Sequence, residues 1–269
     1  MKQATKQIEG GICAAKGYTA AGVNCGIRKN KLKKDLALIV SAVPAACACV
    51  YTQNLVQGAP IAVTKENVAN GFAQAIICNS GNANTCNSNG VEIALEMCRL
   101  VGETLGISPS DVVVASTGVI GKPLSIEPIA SGIPVLAGLL ALDSNGAAEA
   151  IMTTDVKKKE IAVEFTLGGT VCRMGGIAKG SGMIQPNMAT MLGFITTDAA
   201  ITPQMLQKAL SADVPESFNM VSIDGDTSTN DMVTVLANGL AGNPMVDSEG
   251  ADYDAFCSAL HEVTLYLTR

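Results

Sequence analysis

The stretch "AQAIICNSGNANTCNSNGVEIALEMCRLVGETLGISPSDVVVAST", residues 73–117, decides the fold class. It opens with an apolar run at 73–80 that reads as a buried strand. "NSGNANTCNSNG" (79–90) follows as a loop, because Asn and Gly tolerate left-handed backbone. "VEIALEMCRLVGETLG" (91–106) has apolar residues at helical spacing and Gly106 as its stop. "SPSD" then opens "VVVAST" (112–117), a second buried strand that ends in "GVIG" (118–121). Strand, loop, helix, loop, strand is the order of an α/β layer.

Working outward, "DLALIVSAV" (35–43) is another strand, followed by Pro44. Residues 125–158 hold Pro128, Pro134 and two helical patches, the second being "NGAAEAIMTTD" (145–155). "KEIAVEFTL" (159–167) and "TVCRMGGIA" (170–178) flank Gly168–Gly169, a hairpin signal. "MATMLGFITTDA" (188–199) is strand-like, and "TPQMLQKALSAD" is a helix with Thr202 as N-cap and Pro203 in its first position. "SFNMVSIDGDTSTNDMVTVLANG" (217–239) reads as strand, polar loop and buried segment. The amphipathic helix from Ser248 has an acidic first turn and meets no Gly, Asn or Pro before Arg269, the pattern expected of a truncated protein. No internal repeat is visible, and no Pro- or Ser-rich linker marks a domain boundary.

At 269 residues the chain is long enough to bury a sizeable core. With 48% apolar and 16% charged residues it is a globular protein, and with 3% aromatics its core rests on Ala, Val, Ile, Leu and Met. A net charge of −6 argues against nucleic-acid binding, which needs a basic face. "RKNKLKK" (28–34) runs against that balance and reads as a solvated turn. The N-terminus lacks a signal-peptide core, and no run is long enough to span a bilayer. The nine Cys sit mainly in apolar segments such as "AACACV" and "AIICN", so a reduced cytoplasmic protein is expected. Metal ligation is poorly supported, with no C-x-x-C pair and a single His.

Several reaction classes drop out. "GVIGKP" (118–123) is too short for a phosphate loop and has Pro where Ser or Thr is needed. "DGDTSTND" (224–231) offers Asp224, Asp226 and Asp231, but its Gly at the second position and Val235 at the twelfth do not fit a calcium loop. It reads as a hydrogen-bonded turn able to line a site. His261 lies on the polar side of the last helix, away from any nucleophile motif. What remains is a hydroxyl with an unusual base. An N-terminal Thr meets that need, because its own α-amine, of pKa about 7.7–8.0 when unperturbed, sits beside the hydroxyl.

Thr190, in "PNMATMLGF", taken alone is an ordinary strand residue. Its surroundings change that. "GGIAKGSGMIQPNMATMLGFITTDA" (175–199) resembles the processing-site segment of the ornithine acetyltransferase family, the glutamate N-acetyltransferases of the cyclic arginine pathway. "ICNSGNANTC" (77–86), "VVVASTGVIG" (112–121), "AIMTTD" (150–155) and "SFNMVSIDGDTSTND" (217–231) resemble further blocks of that family, in the same order. The likeness runs from about Gly10 to Arg269.

The resemblance implies a layered αββα sandwich, shared with N-terminal-nucleophile aminopeptidases. It implies a precursor cut between Ala189 and Thr190 into a fragment of residues 1–189 and a second one starting at 190. Both fragments would assemble as a heterotetramer, and a C-terminal domain would follow residue 269. Thr190 would take acetyl from N-acetylornithine and give it to glutamate, some members also using acetyl-CoA, with no cofactor and no metal. The oxyanion pair falls on Thr117 and Gly118, and the substrate contacts on Thr153, Lys179 and Thr190. Read without the family, Thr117–Gly118 is a strand-ending turn, Thr153 a capping hydroxyl and Lys179 a solvated surface residue. None of these contacts is a carboxylate for a substrate ammonium, so that partner is expected beyond Arg269. The alternative is an N-terminal-nucleophile amidase or aminopeptidase on the same fold.

Overall fold

The structure is a computed structural model that describes residues 5–180, 191–221 and 226–269. The opening stretch folds as its pattern predicts. β4 (Phe72–Asn82) runs parallel to β5 (Val112–Val119), and α2 (Gly90–Leu105) crosses between them. α2 buries Ala94, Met97, Cys98 and Val101 along one face and ends at Gly106, whose φ of 69° is left-handed. The predicted loop starts later than its composition implies, because Asn79–Asn82 stay in the strand. They are accommodated there because Asn79 is satisfied internally, accepting from Ser116 Oγ at 2.6 Å and donating to the Asn82 carbonyl at 2.9 Å.

β3 (Leu36–Tyr51) departs from expectation by running through Pro44 instead of stopping there. Its pairing with β4 is irregular between Val40 and Ala45, so the missing Pro N–H falls where no ladder bond is required. Before that point β3 pairs with β2 (Tyr18–Val23) and β4; after it, β4 pairing persists only at Ala45 and Ala46, and β9 (Met232–Ala237) becomes the partner from Ala46 to Tyr51. β3 therefore passes from one sheet into the other. The second sheet continues from β9 through β8 (Leu192–Thr197), β7 (Thr170–Lys179) and β6 (Lys159–Leu167) to β1 (Lys6–Ile8). β6 and β7 form the expected hairpin, with Gly168 and Gly169 at φ 53° and 81°, as a type I′ turn requires.

Side-chain alternation on β3 sorts the molecule into layers. Ala37, Ile39, Ala45, Cys47 and Cys49 face a core between the two sheets, together with Tyr18, Phe194 and Leu236. Leu36 and Leu38 face a core under α2 and α3 (Glu127–Leu139). Ala46 and Ala48 face a third, under α5 (Pro203–Asp213) and α6 (Ala251–Leu267). The two remaining helices lie at the sheets' margins: α1 (Ala59–Asn67) packs on β5 and α2, and α4 (Ser144–Ile151) enters the central layer. The result is the αββα sandwich that the resemblance implies.

Two expectations need correction. "SFNMV" is not a strand. Ser217 Oγ donates to the Asp213 carbonyl and carboxylate at the end of α5, and the chain tightens into a 3₁₀ turn that buries Phe218. The strand read at 188–199 spans Leu192–Thr197 among the described residues. The helical patch read at 145–155 ends at Ile151, whereas Thr202 caps α5 as expected, accepting from Met205 N at 3.4 Å, and His261 on α6 meets Asp213 at 2.7 Å. All nine cysteines are unpaired, and no helix among the described residues is long and apolar enough to cross a membrane.

Candidate active site

A cleft of about 490 Å³ opens at the carboxyl ends of the parallel strands β4 and β5, where open α/β sheets generally receive ligands. Thr117, Gly118, Thr153 and Lys179, spread over sixty residues of sequence, all line it. Ala189 and Thr190 lie outside the described residues, as does Asp224.

Gly118 opens the cleft. At φ 135° it faces Gly81, itself at φ 104°, and the register shifts there so that Asn82 stands opposite both Thr117 and Val119. A Cβ on Gly118 would lie 2.3 Å from the Gly81 carbonyl carbon and 2.5 Å from Asn82 N. Only glycine allows the two strand ends to approach so closely.

Lys179, at the end of β7, is only 8% exposed, contrary to a surface role. Its ammonium donates to Thr153 Oγ1 at 3.4 Å. Burial pulls its pKa down, and the carboxylates of Asp155 and Asp231 pull it back up. Asp155 fixes this corner: it accepts from Thr153 N at 2.9 Å and from Gly180 N at 2.6 Å, tying the end of α4 to the end of β7. Asp231 is 3% exposed. Burial pushes its pKa well up, while Ser228, Lys179 and the Met191 amide favour the carboxylate. Its Oδ2 has no hydrogen-bond partner among the described residues. Two carboxylates, those of Asp155 and Asp231, thus stand beside Lys179.

Arg28 corrects the reading of 28–34 as a solvated turn. The fully buried Asp35 accepts from Cys25 N at 2.7 Å and Arg28 N at 2.9 Å, which turns the Arg28 side chain inward. Its guanidinium donates to the Met152 carbonyl and lines the cleft. Lys29 and Lys31 are exposed, as expected.

Asn230 organises the far wall. Its amide donates to Ala83 O at 2.6 Å and Ser116 O at 3.0 Å, and its Oδ1 accepts from the hydroxyls of Thr85 and Thr229, both at 2.6 Å. The polar loop was thus rightly read as able to line a site, but nothing local marks Asn230 as its centre. Asn230→Ala would leave buried groups on three segments unpaired, at about 1–3 kcal/mol each before relaxation. We expect a loss of ~2–4 kcal/mol in urea unfolding. A loss under ~0.5 kcal/mol would mean that water replaces the amide.

Met191, directly after Thr190, is anchored next to these groups. Its carbonyl accepts from Met232 N at 3.2 Å and its amide donates to Asp231. The cleft therefore combines a strand-end hydroxyl and amide with two cations, Arg28 and Lys179, the latter backed by the carboxylates of Asp155 and Asp231. Such a set can bind an amino acid and stabilise negative charge on a carbonyl oxygen.

Residues 19–269 match the ArgJ family. The arginine biosynthesis bifunctional protein ArgJ of Symbiobacterium thermophilum is 50% identical over 97% of this chain and 66% of its own length. That of Bacillus licheniformis is 48% identical over 98% and 65% respectively. The chain thus spans just under two thirds of the length of these curated relatives. Among solved structures, the Bacillus halodurans ArgJ protein matches with a TM-score of 0.65 at 39% identity, covering 70% of this chain and 99% of its own. The Mycobacterium tuberculosis ornithine acetyltransferase, complexed with ornithine, gives 0.61 at 30% identity, covering 70% and 100%. An L-aminopeptidase D-Ala-esterase/amidase from Ochrobactrum anthropi, described as a variant of the Ntn hydrolase fold, gives 0.53 at 12% identity over 99% of this chain, a likeness of fold alone.

Proposed function

The chain belongs to the ArgJ family, and on that premise we propose that it carries an acetyltransferase of arginine biosynthesis, moving acetyl from N-acetylornithine to glutamate through an ester on Thr190. The observation that carries this reading is the convergence of Thr117, Gly118, Thr153 and Lys179 on one cleft, with Met191 anchored to Asp231 beside Lys179.

The first step is self-cleavage. The Thr190 hydroxyl attacks the Ala189 carbonyl, the peptide bond becomes an ester, and water releases residues 1–189 and a free Thr190 amine. The two ArgJ-type structures are compatible with this division. Each is covered almost completely while matching 70% of this chain, the share that residues 1–189 make up of 269. The fragments stay together, the heterotetramer being the expected assembly, in the cytoplasm.

In transfer, the Thr190 amine takes the hydroxyl proton as oxygen attacks the acetyl carbonyl of N-acetylornithine. Thr117 Oγ1 and the Gly118 amide donate to the oxyanion, one such donor being worth about 3 kcal/mol. The amine returns the proton to the departing ornithine nitrogen. Glutamate then occupies the same cleft, and its amine takes the acetyl group. Lys179 and Arg28 face the substrate carboxylates. Acetyl-CoA is a second donor to be tested, and neither a metal nor a bound cofactor enters the scheme.

Thr117→Ala should lower kcat by ~10²–10³-fold with little change in KM. A normal kcat with only a raised KM would assign Thr117 to ground-state binding. The overall reading is tested with full-length protein, glutamate as acceptor, and N-acetylornithine or acetyl-CoA as sole donor. N-acetylglutamate is the expected product. Free acetate without N-acetylglutamate would instead favour the amidase reading.

A further inference from the structure

The stretch "AACACV" enters the fold as part of β3, and its C-x-C spacing puts Cys47 and Cys49 on one face of the strand. A C-x-x-C pair in a strand would point to opposite faces. The two sulfurs are 3.8 Å apart. Both line a cleft of about 550 Å³ that shares no lining residue with the candidate active site.

The pair is held from outside. Gln207 of α5 accepts from Cys49 N and donates to Cys49 O, both at 3.1 Å, closing the strand edge like a short partner strand. Cys47 N donates to Gly71 O at 2.8 Å. These bonds fix the backbone that carries both thiols. Thr234 Oγ1 lies 3.3 Å from the Cys49 sulfur, and the buried Tyr51 hydroxyl stands two residues on along the same face, beside Cys49. The Cys47 and Cys49 sulfurs share a hydrogen bond, so their lone pairs converge on one point of the cleft wall. The Lys65 ammonium, 5.1 Å above the Tyr51 ring, also faces the cleft.

We propose that Cys47 and Cys49 form a two-thiolate site for a soft d¹⁰ cation, copper(I). Soft sulfur ligands select copper(I), which is held by as few as two thiolates. Zinc would need four donors, and among the described residues no His, Asp or Glu lines this cleft. On binding, two S–H bonds break, two protons leave to solvent and two S–Cu bonds form, with no change of oxidation state. The resulting complex carries one negative charge, which Lys65 faces. The site is independent of the acetyltransferase reading.

The test uses reduced full-length protein under anaerobic conditions, titrated with copper(I) against the chromogenic chelator bicinchoninate. The wild type should withdraw one copper(I) per chain more than Cys47→Ser or Cys49→Ser, whereas Cys86→Ser, in an exposed loop, should match the wild type. Equal uptake by wild type and both strand variants would overturn the proposal, as would no uptake by wild type. Should either strand variant misfold, alkylation of the wild type decides: copper(I) must shield Cys47 and Cys49 from iodoacetamide, and unchanged labelling of both would overturn the site.

Discussion

Thr190→Ala in the full-length protein gives a single uncut chain with no measurable acetyl transfer. One hydroxyl is asked to do two jobs, so both are lost together. Without it the Ala189 carbonyl has no nucleophile, no ester forms, and the α-amine that serves as base is never released. Lys179 and Arg28 can still hold a substrate carboxylate, so substrate should still shift the melting temperature of the uncut protein. Gel electrophoresis and a transfer assay check the two losses. Thr190→Ser retains a hydroxyl and should process at least in part. A cleaved alanine variant would place the cutting nucleophile elsewhere.

Gly118→Ala should be nearly as damaging, through backbone alone. The new Cβ would lie 2.3 Å from the Gly81 carbonyl carbon, in a conformation with φ of 135° that L residues rarely adopt. Strand ends β4 and β5 must separate, carrying the Thr117 hydroxyl and the Gly118 amide away from the oxyanion. A displacement of ~1 Å and a weakened donor each cost about 10²-fold, so kcat should fall ~10⁴-fold. Backbone strain should lower stability by ~1–3 kcal/mol. Because Gly118 is distant from Thr190 in sequence, a folded but uncut Gly118→Ala chain would show that the same oxyanion pocket serves cleavage and transfer. Wild-type kcat in this variant would remove Gly118 from the site.

What was legible in the sequence follows from how local the cause is. The β4–α2–β5 unit could be read because run length, helical spacing and Gly106 all act within a few residues. The passage of β3 between sheets could not, since Pro44 looks like a stop until its neighbours supply an irregularity that needs no N–H. Thr117, Gly118, Thr153 and Lys179 were named from motif likeness, and the fold brings them to one cleft. Arg28 was passed over because a solvated turn has the same composition; what turns it inward is Asp35, which the sequence presents only as the start of a strand. Asn230 and Asp155 act by joining distant segments, and such a role leaves no trace in the residues beside them. Asp231 was weighed only as a calcium ligand, and its place beside Lys179 depends on the pairing of β8 with β9.

The central claim is a covalent acetyl-Thr190. Full-length protein is incubated with N-acetylornithine and no acceptor, quenched in acid, and analysed by mass spectrometry of the fragment that begins at residue 190. The account predicts the mass of one added acetyl group, assigned by fragmentation to Thr190 and removed on adding glutamate. An unmodified fragment under turnover conditions, or acetyl on Lys179 instead, would contradict it.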